Sequence, residues 1–415
     1  MNIEIINTGS ELLLGRVLNT HQQWLCRRLA DNGYETTRQV AISDNGEAIQ
    51  AAVREAMDRA RLVIVTGGLG PTSDDITRDK IAELLGCELH EDPGVVEHVR
   101  SFFTRRKRPM PASTRIQAMV PDGAEVIVND HGTAPGLVMS FRDGGCLIML
   151  PGPPRELRPM FAEKILPVIK ERFPLGGGFA CVTFKSTGVG ESQMEELLQE
   201  PLGELVGRGL DLGFCARTGE VDVRVAARGE GAAELVGQAG EIVRRVAGRH
   251  LYGAEDDQLE EAVVALMIKK GATLALAESC TGGYLGHRIT NVSGASAVLM
   301  CGMITYSNES KLRLLGVRAE TLAEHGAVSE ATVIEMARGA RERTGADYAL
   351  AVTGIAGPTG GTEAKPLGTV FIGLATAGGV GTVHRINSFD RETFKFVTAQ
   401  QALELLRQEI VGSEG

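Results

Sequence analysis

Aromatic residues are scarce, at 4% of 415 residues with Trp24 the single tryptophan, and no uninterrupted apolar run approaches the ~20 residues of a membrane helix. A membrane-spanning chain is thereby excluded. Metal-binding cysteine patterns are missing too. Cys26, Cys87, Cys146, Cys181, Cys215, Cys280 and Cys301 are odd in number, scattered, and never spaced C-x-x-C. That usage fits reduced thiols in a cytoplasm rather than a disulfide framework or a zinc ribbon. The eight histidines form no H-x-H or H-x-x-x-H pair. Basic charge is in deficit, with 43 Lys and Arg against 53 Asp and Glu. A net −10 argues against broad nucleic-acid affinity, because phosphate binding needs clustered cations. The one basic run, Arg105–Arg108, reads as a solvated helix end. The start, Met1-Asn2-Ile3-Glu4-Ile5, lacks a basic flank ahead of an apolar stretch, so no signal peptide is expected.

What is abundant is glycine. The chain has 52, where a usual share of ~7% gives about 29. They follow no collagen-like period and sit among apolar residues, which excludes fibrous and low-complexity classes. Some must mark tight backbone turns. With 43% hydrophobic residues the chain can bury ordinary cores, and its length predicts two to four domains.

Over the first ~170 residues, apolar runs at Ile3–Ile6, Leu62–Val65 and Gly145–Leu150 alternate with amphipathic stretches at Thr20–Asp31, Glu47–Ala60, Asp75–Leu85 and Pro153–Arg172. Strands alternating with helices predict a parallel sheet covered on both faces, with ligands at the carboxyl ends of the strands. Gly176-Gly177-Gly178 reads as a linker. A smaller unit follows, in the order strand Ala180–Ser186, helix Glu191–Leu198, strands Asp211–Ala216 and Val221–Ala227, helix Ala232–Ala247. A second hinge is expected at Gly253–Asp257. The last part is again α/β, with strands at Thr273–Ala277, Val298–Thr305, Tyr348–Val352, Thr369–Thr376 and Val383–Ser388. Helices are expected there at Tyr284–Thr290, Ser329–Thr344 and Arg391–Glu409. The expected fold class is α/β: two three-layer domains, 1–172 and 258–415, joined by a small α+β domain, 179–253.

Val65-Thr66-Gly67-Gly68-Leu69-Gly70-Pro71-Thr72-Ser73-Asp74-Asp75-Ile76-Thr77 leaves a strand and opens a helix. Glycines there turn backbone N–H groups toward an anion at a helix N-terminus. Asp74 and Asp75, with Glu11 from the end of the first strand, are candidate ligands for a hard divalent cation bridging that anion. The bland alternative makes Ser73 or Asp74 a simple helix cap. With N-T-G-S-E-L-L-L-G at the start and P-G-P-P-R-E at 151–156, this loop closely resembles the CinA family, whose first domain is similar to the molybdopterin-binding fold of MoaB and MogA proteins. The resemblance implies a metal-dependent ADP-ribose pyrophosphatase yielding AMP and ribose 5-phosphate, with the phosphates on Thr66, Gly67 and Gly68. A pterin-binding site inherited from the fold is the alternative.

The middle unit is similar in element order to the KH-like domain of full-length CinA proteins. A KH domain that grips RNA wants a charged G-x-x-G loop. Here Gly237-Gln238-Ala239-Gly240 lies inside a helical pattern, and residues 171–257 hold nine Lys and Arg against fifteen Asp and Glu. A spacer or dimerisation element is expected, and no nucleic-acid partner.

In the last domain an apolar strand runs into Glu278-Ser279-Cys280-Thr281-Gly282-Gly283 and then a helix. Such a turn exposes a side chain at a strand end and leaves the N–H groups of Cys280, Thr281, Gly282 and Gly283 as a candidate oxyanion hole. A serine needs a base. His287 lies two turns along the helix, which is poor geometry. Thr305-Tyr306-Ser307-Asn308-Glu309-Ser310-Lys311 supplies a lysine that burial can make basic at neutral pH, and a tyrosine that can relay a proton or orient it. Cys280 is the rival nucleophile, since thiolates are activated at helix N-termini. A-E-S-C-T-G-G, I-T-Y-S-N-E-S-K and V-T-G-I-A-G-P-T-G-G together look like the PncC-type amidase that forms the CinA carboxyl-terminal domain. That family hydrolyses the carboxamide of nicotinamide mononucleotide to nicotinate mononucleotide and ammonia without a metal. Its serine–tyrosine–lysine set falls on Ser279, Tyr306 and Lys311. The loop after Tyr348–Val352 makes Thr353, Gly354 and Gly357 candidate contacts for the substrate's phosphate. Phe389-Asp390-Arg391 departs from the family's G-D-R at Phe389, which puts only the local turn shape in question. The resemblance further implies a homodimer. The family's competence- or damage-inducible name raises a different class of reading, a non-catalytic nucleotide- or pterin-binding adaptor with a partner such as a recombinase.

Overall fold

A computed structural model describes residues 1–412. Alternation of buried side chains builds the first sheet. Leu62 and Ile64 pack on one face with Ile3, Ile5, Leu25, Leu29, Ile148 and Phe161. Val63 and Val65 pack on the other with Ile49, Val53, Ile81, Leu147 and Met149. The six strands run in the order Arg38–Ile42, Ile3–Thr8, Leu62–Thr66, Gly145–Leu150, Gly136–Phe141, Glu125–Ile127. The first four are parallel and the last two antiparallel, so the sheet is mixed where a parallel one was expected. The antiparallel strands are short and hairpin-linked, which is why alternating βα patterning did not reveal them. Of helix Pro93–Arg105 only the end was foreseen, and Asp92 caps its start through the Val95 amide. Arg105–Arg108 is indeed an exposed helix end, where Arg106 stacks on Phe102.

The middle sheet has the order Asp211–Arg217, Glu220–Arg228, Phe179–Thr187, Leu251–Ala254. Its fourth strand corrects the expected hinge at Gly253–Asp257. Gly253 and Ala254 pair with Lys185 and Phe184, and the Glu255 amide donates to the Thr183 carbonyl at 2.7 Å. Gly237–Gly240 lies inside helix Ala232–Ala247 and forms no loop.

The last sheet runs Leu299–Ile304, Leu274–Glu278, Tyr348–Gly354, Thr369–Thr376, Gly379–Ile386, parallel across the first three and antiparallel after. Leu274 and Leu276 face one core and Ala275 and Ala277 the other. The protein is therefore mixed α/β, with two sheets covered on both faces and a small α+β sheet between them in sequence. The chain divides into two compact units, Met1–Cys181 with Arg228–Ala232, and Val182–Ala227 with Ala233–Gly415. In the second unit the middle elements are fastened to helix Arg391–Gly412. Arg407 donates to the carbonyls of Leu251 and Arg249, and Gln400 donates to Glu220.

Candidate functional site

Ser279 stands at the carboxyl end of the interior strand Leu274–Glu278, its amide donating to the Val352 carbonyl of the neighbouring strand at 3.0 Å. The chain then turns through Gly282 and Gly283, both at positive φ (63° and 97°), into helix Tyr284–Thr290. A side chain at either glycine would strain that turn. Lys311 follows a short helix capped by Ser307, and its Nζ lies 3.0 Å from Ser279 Oγ while donating to the Thr305 carbonyl at 2.7 Å. The lysine is completely buried, forms no ion pair among the described residues, and has its pKa lowered to about 8 by desolvation. A buried amine with a lowered pKa, at hydrogen-bond distance from a hydroxyl, has the arrangement that a general base and its nucleophile require.

Cys280 does not compete. Burial pushes its thiol up to about 12, so it stays neutral. The expected oxyanion hole narrows. The Gly282 amide donates back to the Ser279 carbonyl and the Gly283 amide to Glu278 Oε2. Among the described hydrogen bonds the amides of Cys280 and Thr281 donate to no oxygen, and both face the Cys280 sulfur, which is a weak acceptor. Tyr306 is 60% exposed, and its hydroxyl accepts from Arg391, whose other terminal nitrogen donates to the Gly357 carbonyl. The structure thus brings Tyr306 toward the loop at Gly357 through Arg391, and the Thr305 carbonyl orients Lys311 in its place. Thr353 is corrected as well, since it is buried with its hydroxyl donating to the Ala327 carbonyl at 2.7 Å. Gly354 is packed against the Thr369 carbonyl, and Gly357 alone of the three lines an open cavity, about 500 Å³, with Pro358, Leu367, Phe389 and Arg391. Phe389 leaves the turn intact because Asp390 still caps the last helix through the Glu392 and Thr393 amides.

In the first unit, Thr66, Gly67, Gly68, Glu11, Asp74 and Asp75 all line one cleft of about 520 Å³. They are not equally available. The Thr66 hydroxyl donates to Asn7, the Gly67 amide to Leu150, and only the Gly68 amide has no acceptor among the described hydrogen bonds. Asp74 and Asp75 both turn to the Thr72 hydroxyl, which holds Asp74 below the usual carboxylate range. Neither Ser73 nor Asp74 is the helix cap, for the helix starts at Thr77. Among the described residues no group of three or more His, Cys, Asp or Glu is arranged to hold a metal. The expected ligand set of Asp74, Asp75 and Glu11 is therefore not a protein cage. Two neighbouring carboxylates still suit a Mg²⁺-type ion that takes its other ligands from water and a ligand's phosphates. Three lining residues were missed. Glu156, buried beside Asn129, is raised above the usual range by desolvation; Gln117 Oε1 and His21 Nδ1 are buried without partners. P-G-P-P-R-E pointed to the first, whereas the other two come from segments without a motif.

Three family models match the chain: a probable molybdopterin binding domain over residues 4–171, the damage-inducible protein CinA KH domain over 182–253, and the CinA C-terminal domain over 256–410. A candidate competence-damage inducible protein of Caldicellulosiruptor bescii is 42% identical over 99% of this chain and 100% of its own. A CinA-like protein of Akkermansia muciniphila is 43% identical over 97% and 96%. A crystal structure of a CinA superfamily protein from Klebsiella pneumoniae, 38% identical, covers 37% of this chain and 96% of its own, with a TM-score of 0.36. No described helix is long and apolar enough to cross a membrane.

Proposed function

Because the chain belongs to the CinA family, we propose that its last domain is a serine amidohydrolase that converts nicotinamide mononucleotide to nicotinate mononucleotide and ammonia. The observation that carries this reading is the 3.0 Å approach of buried Lys311 Nζ to Ser279 Oγ. Neutral Lys311 takes the hydroxyl proton as Ser279 attacks the carboxamide carbon. The amides of Cys280 and Thr281 receive the developing oxyanion, a role in which one donor is worth about 10²–10³ in rate. Lys311 returns the proton to the departing nitrogen, ammonia leaves, and water cleaves the acyl-serine with the lysine again as base. Arg391 at the cavity mouth provides the positive charge for the nucleotide's phosphate, beside Gly357 and Tyr306. The test is ammonia release from nicotinamide mononucleotide. Ser279→Ala is expected to lose about 10³-fold or more and Cys280→Ala to keep most activity. Retention by the first variant would make the nucleophile a different residue, and a chain that binds without turnover would be an adaptor.

A second reading is supported by the polar cleft of the first unit. There the Gly68 amide, Glu11, Asp74 and Asp75 line a space that suits a pyrophosphate such as that of ADP-ribose. Asp74 and Asp75 would hold a divalent ion, which supplies charge neutralisation at the phosphates when bound. The glycine loop would position the anion and Glu156 the opposite wall. AMP formation from ADP-ribose with and without Mg²⁺ tests it. Together the two readings make the chain an enzyme of pyridine-nucleotide recycling.

A further inference from the structure

Glu278 takes no part in those proton transfers, yet its carboxylate is buried at the last position of the strand that delivers Ser279. Oε2 accepts from Thr281 Oγ1 at 2.7 Å and from the amides of Gly283 at 3.0 Å and Leu285 at 3.1 Å. Oε1 accepts from the Gly286 amide at 2.9 Å. A buried carboxylate is strongly disfavoured unless donors fill its lone pairs, and here four do. Its main chain reaches the other half of the site. The Glu278 carbonyl accepts from the Thr305 amide at 2.7 Å, and Thr305 in turn holds Lys311 Nζ. One residue therefore braces the nucleophile's turn with its side chain and the base's support with its backbone.

The consequence concerns which amides remain for a substrate. Without that carboxylate this turn would leave the amides of Cys280, Thr281, Gly283, Leu285 and Gly286 to an anion near Ser279, since the Gly282 and Tyr284 amides donate to the Ser279 and Thr281 carbonyls. We propose that Glu278 is a positioning residue: its carboxylate withdraws the amides of Gly283, Leu285 and Gly286 and clamps Thr281, confining the oxyanion to the amides of Cys280 and Thr281. This rests on the amidase reading above. The contribution belongs to the transition state, because a neutral carboxamide gains little from those amides before attack and much after it.

Glu278→Gln keeps the size but replaces one accepting oxygen with an NH2 group that cannot receive an amide. Ammonia release from nicotinamide mononucleotide by the full chain is expected to show kcat lower by about 10²-fold with KM within about twofold. Glu278→Asp, which keeps both oxygens, is expected to recover at least tenfold of that loss. Thr281→Val removes only the hydroxyl held by the carboxylate. Its expected kcat is about tenfold down at unchanged KM, and it serves if the Glu278 variants do not fold. Wild-type kcat in folded Glu278→Gln, or a loss confined to KM, overturns the inference. So does wild-type kcat in Thr281→Val when the Glu278 variants do not fold. Wild-type turnover matched by the variants sinks this proposal alone, whereas a wild-type chain that releases no ammonia sinks the amidase reading and this with it.

Discussion

The serine turn of the last domain and the glycine loop of the first are built alike: each leaves the carboxyl end of a parallel strand, turns on positive-φ glycines and opens a helix. They differ in what is already assembled. Ser279 and Lys311 meet inside the protein at 3.0 Å, with the lysine fully buried. In the glycine loop the carboxylates of Asp74 and Asp75 gather on the Thr72 hydroxyl at the surface, and no third ligand joins them. A covalent catalyst must hold its base on its nucleophile before substrate arrives. A pyrophosphate site can leave its charge neutralisation to an ion that the ligand brings.

The sharpest way to break this comparison is at Lys311. Lys311→Met is expected to lower kcat about 10³-fold, the scale of a general base, with the fold intact. In the wild type, kcat/KM should rise nearly tenfold per pH unit and level off above about 8, because burial lowers the amine to about 8. An ordinary lysine would not level off until about 10.4. The sign for stability is opposite in use. The unfolded chain binds more protons than the folded one between those two values, so the penalty for burying the amine is fully present below pH 8 and fades as pH rises. Lys311→Met should therefore melt above the wild type at pH 7, with the gap closing toward pH 10. A kcat/KM profile that levels near 10, or a variant with wild-type kcat, removes the lysine from the mechanism.

The first unit should respond less steeply. Asp74→Asn with Asp75→Asn is expected to cut Mg²⁺-dependent AMP release from ADP-ribose about 10²-fold, while ammonia release stays within twofold. An unchanged pyrophosphatase rate would move the ion elsewhere in the cleft. Loss of both activities would mean that the two sites are not independent.

Why one site was more legible than the other follows from sequence distance and side-chain commitment. Ser279 and Lys311 are 32 residues apart and lie in two long motifs, so the pair could be named before any geometry. Tyr306 sits in the same motif yet meets Arg391, 85 residues on, a contact that spacing does not reveal. Lys311 is oriented instead by the Thr305 carbonyl, and backbone groups leave no trace in a motif. The buried clamp at Glu278 was quoted in its motif without a role, because only folding shows four donors converging on one carboxylate. In the glycine loop the residues were located and their availability was not: Leu150 takes the Gly67 amide and Asn7 takes the Thr66 hydroxyl. The same limit applied to the sheet, where strands Gly136–Phe141 and Glu125–Ile127 add antiparallel edges that a βα rhythm does not announce.

Thr353 gives the smallest and most discriminating test, because motif and structure assign it opposite roles. As a phosphate contact its hydroxyl would be open to the cavity, and removing it would raise KM for the nucleotide with little effect on melting. In the structure the hydroxyl donates to the Ala327 carbonyl from a buried position, joining the end of strand Tyr348–Gly354 to the segment before helix Glu330–Thr344. Thr353→Val keeps the shape and removes the donor, which leaves a carbonyl without its partner. The expected cost is about 1–2 kcal/mol of stability, with KM and kcat within twofold of wild type. Parallel thermal melts and ammonia kinetics separate the two outcomes, and a raised KM at unchanged melting temperature would return Thr353 to the phosphate. With Thr353 committed to the fold, the anion is left to Arg391 and the backbone around Gly357, in the exposed manner of the first unit's cleft. The buried preassembly of this domain then belongs to the Ser279–Lys311 pair alone, and the candidate anion sites of both units are left to exposed groups.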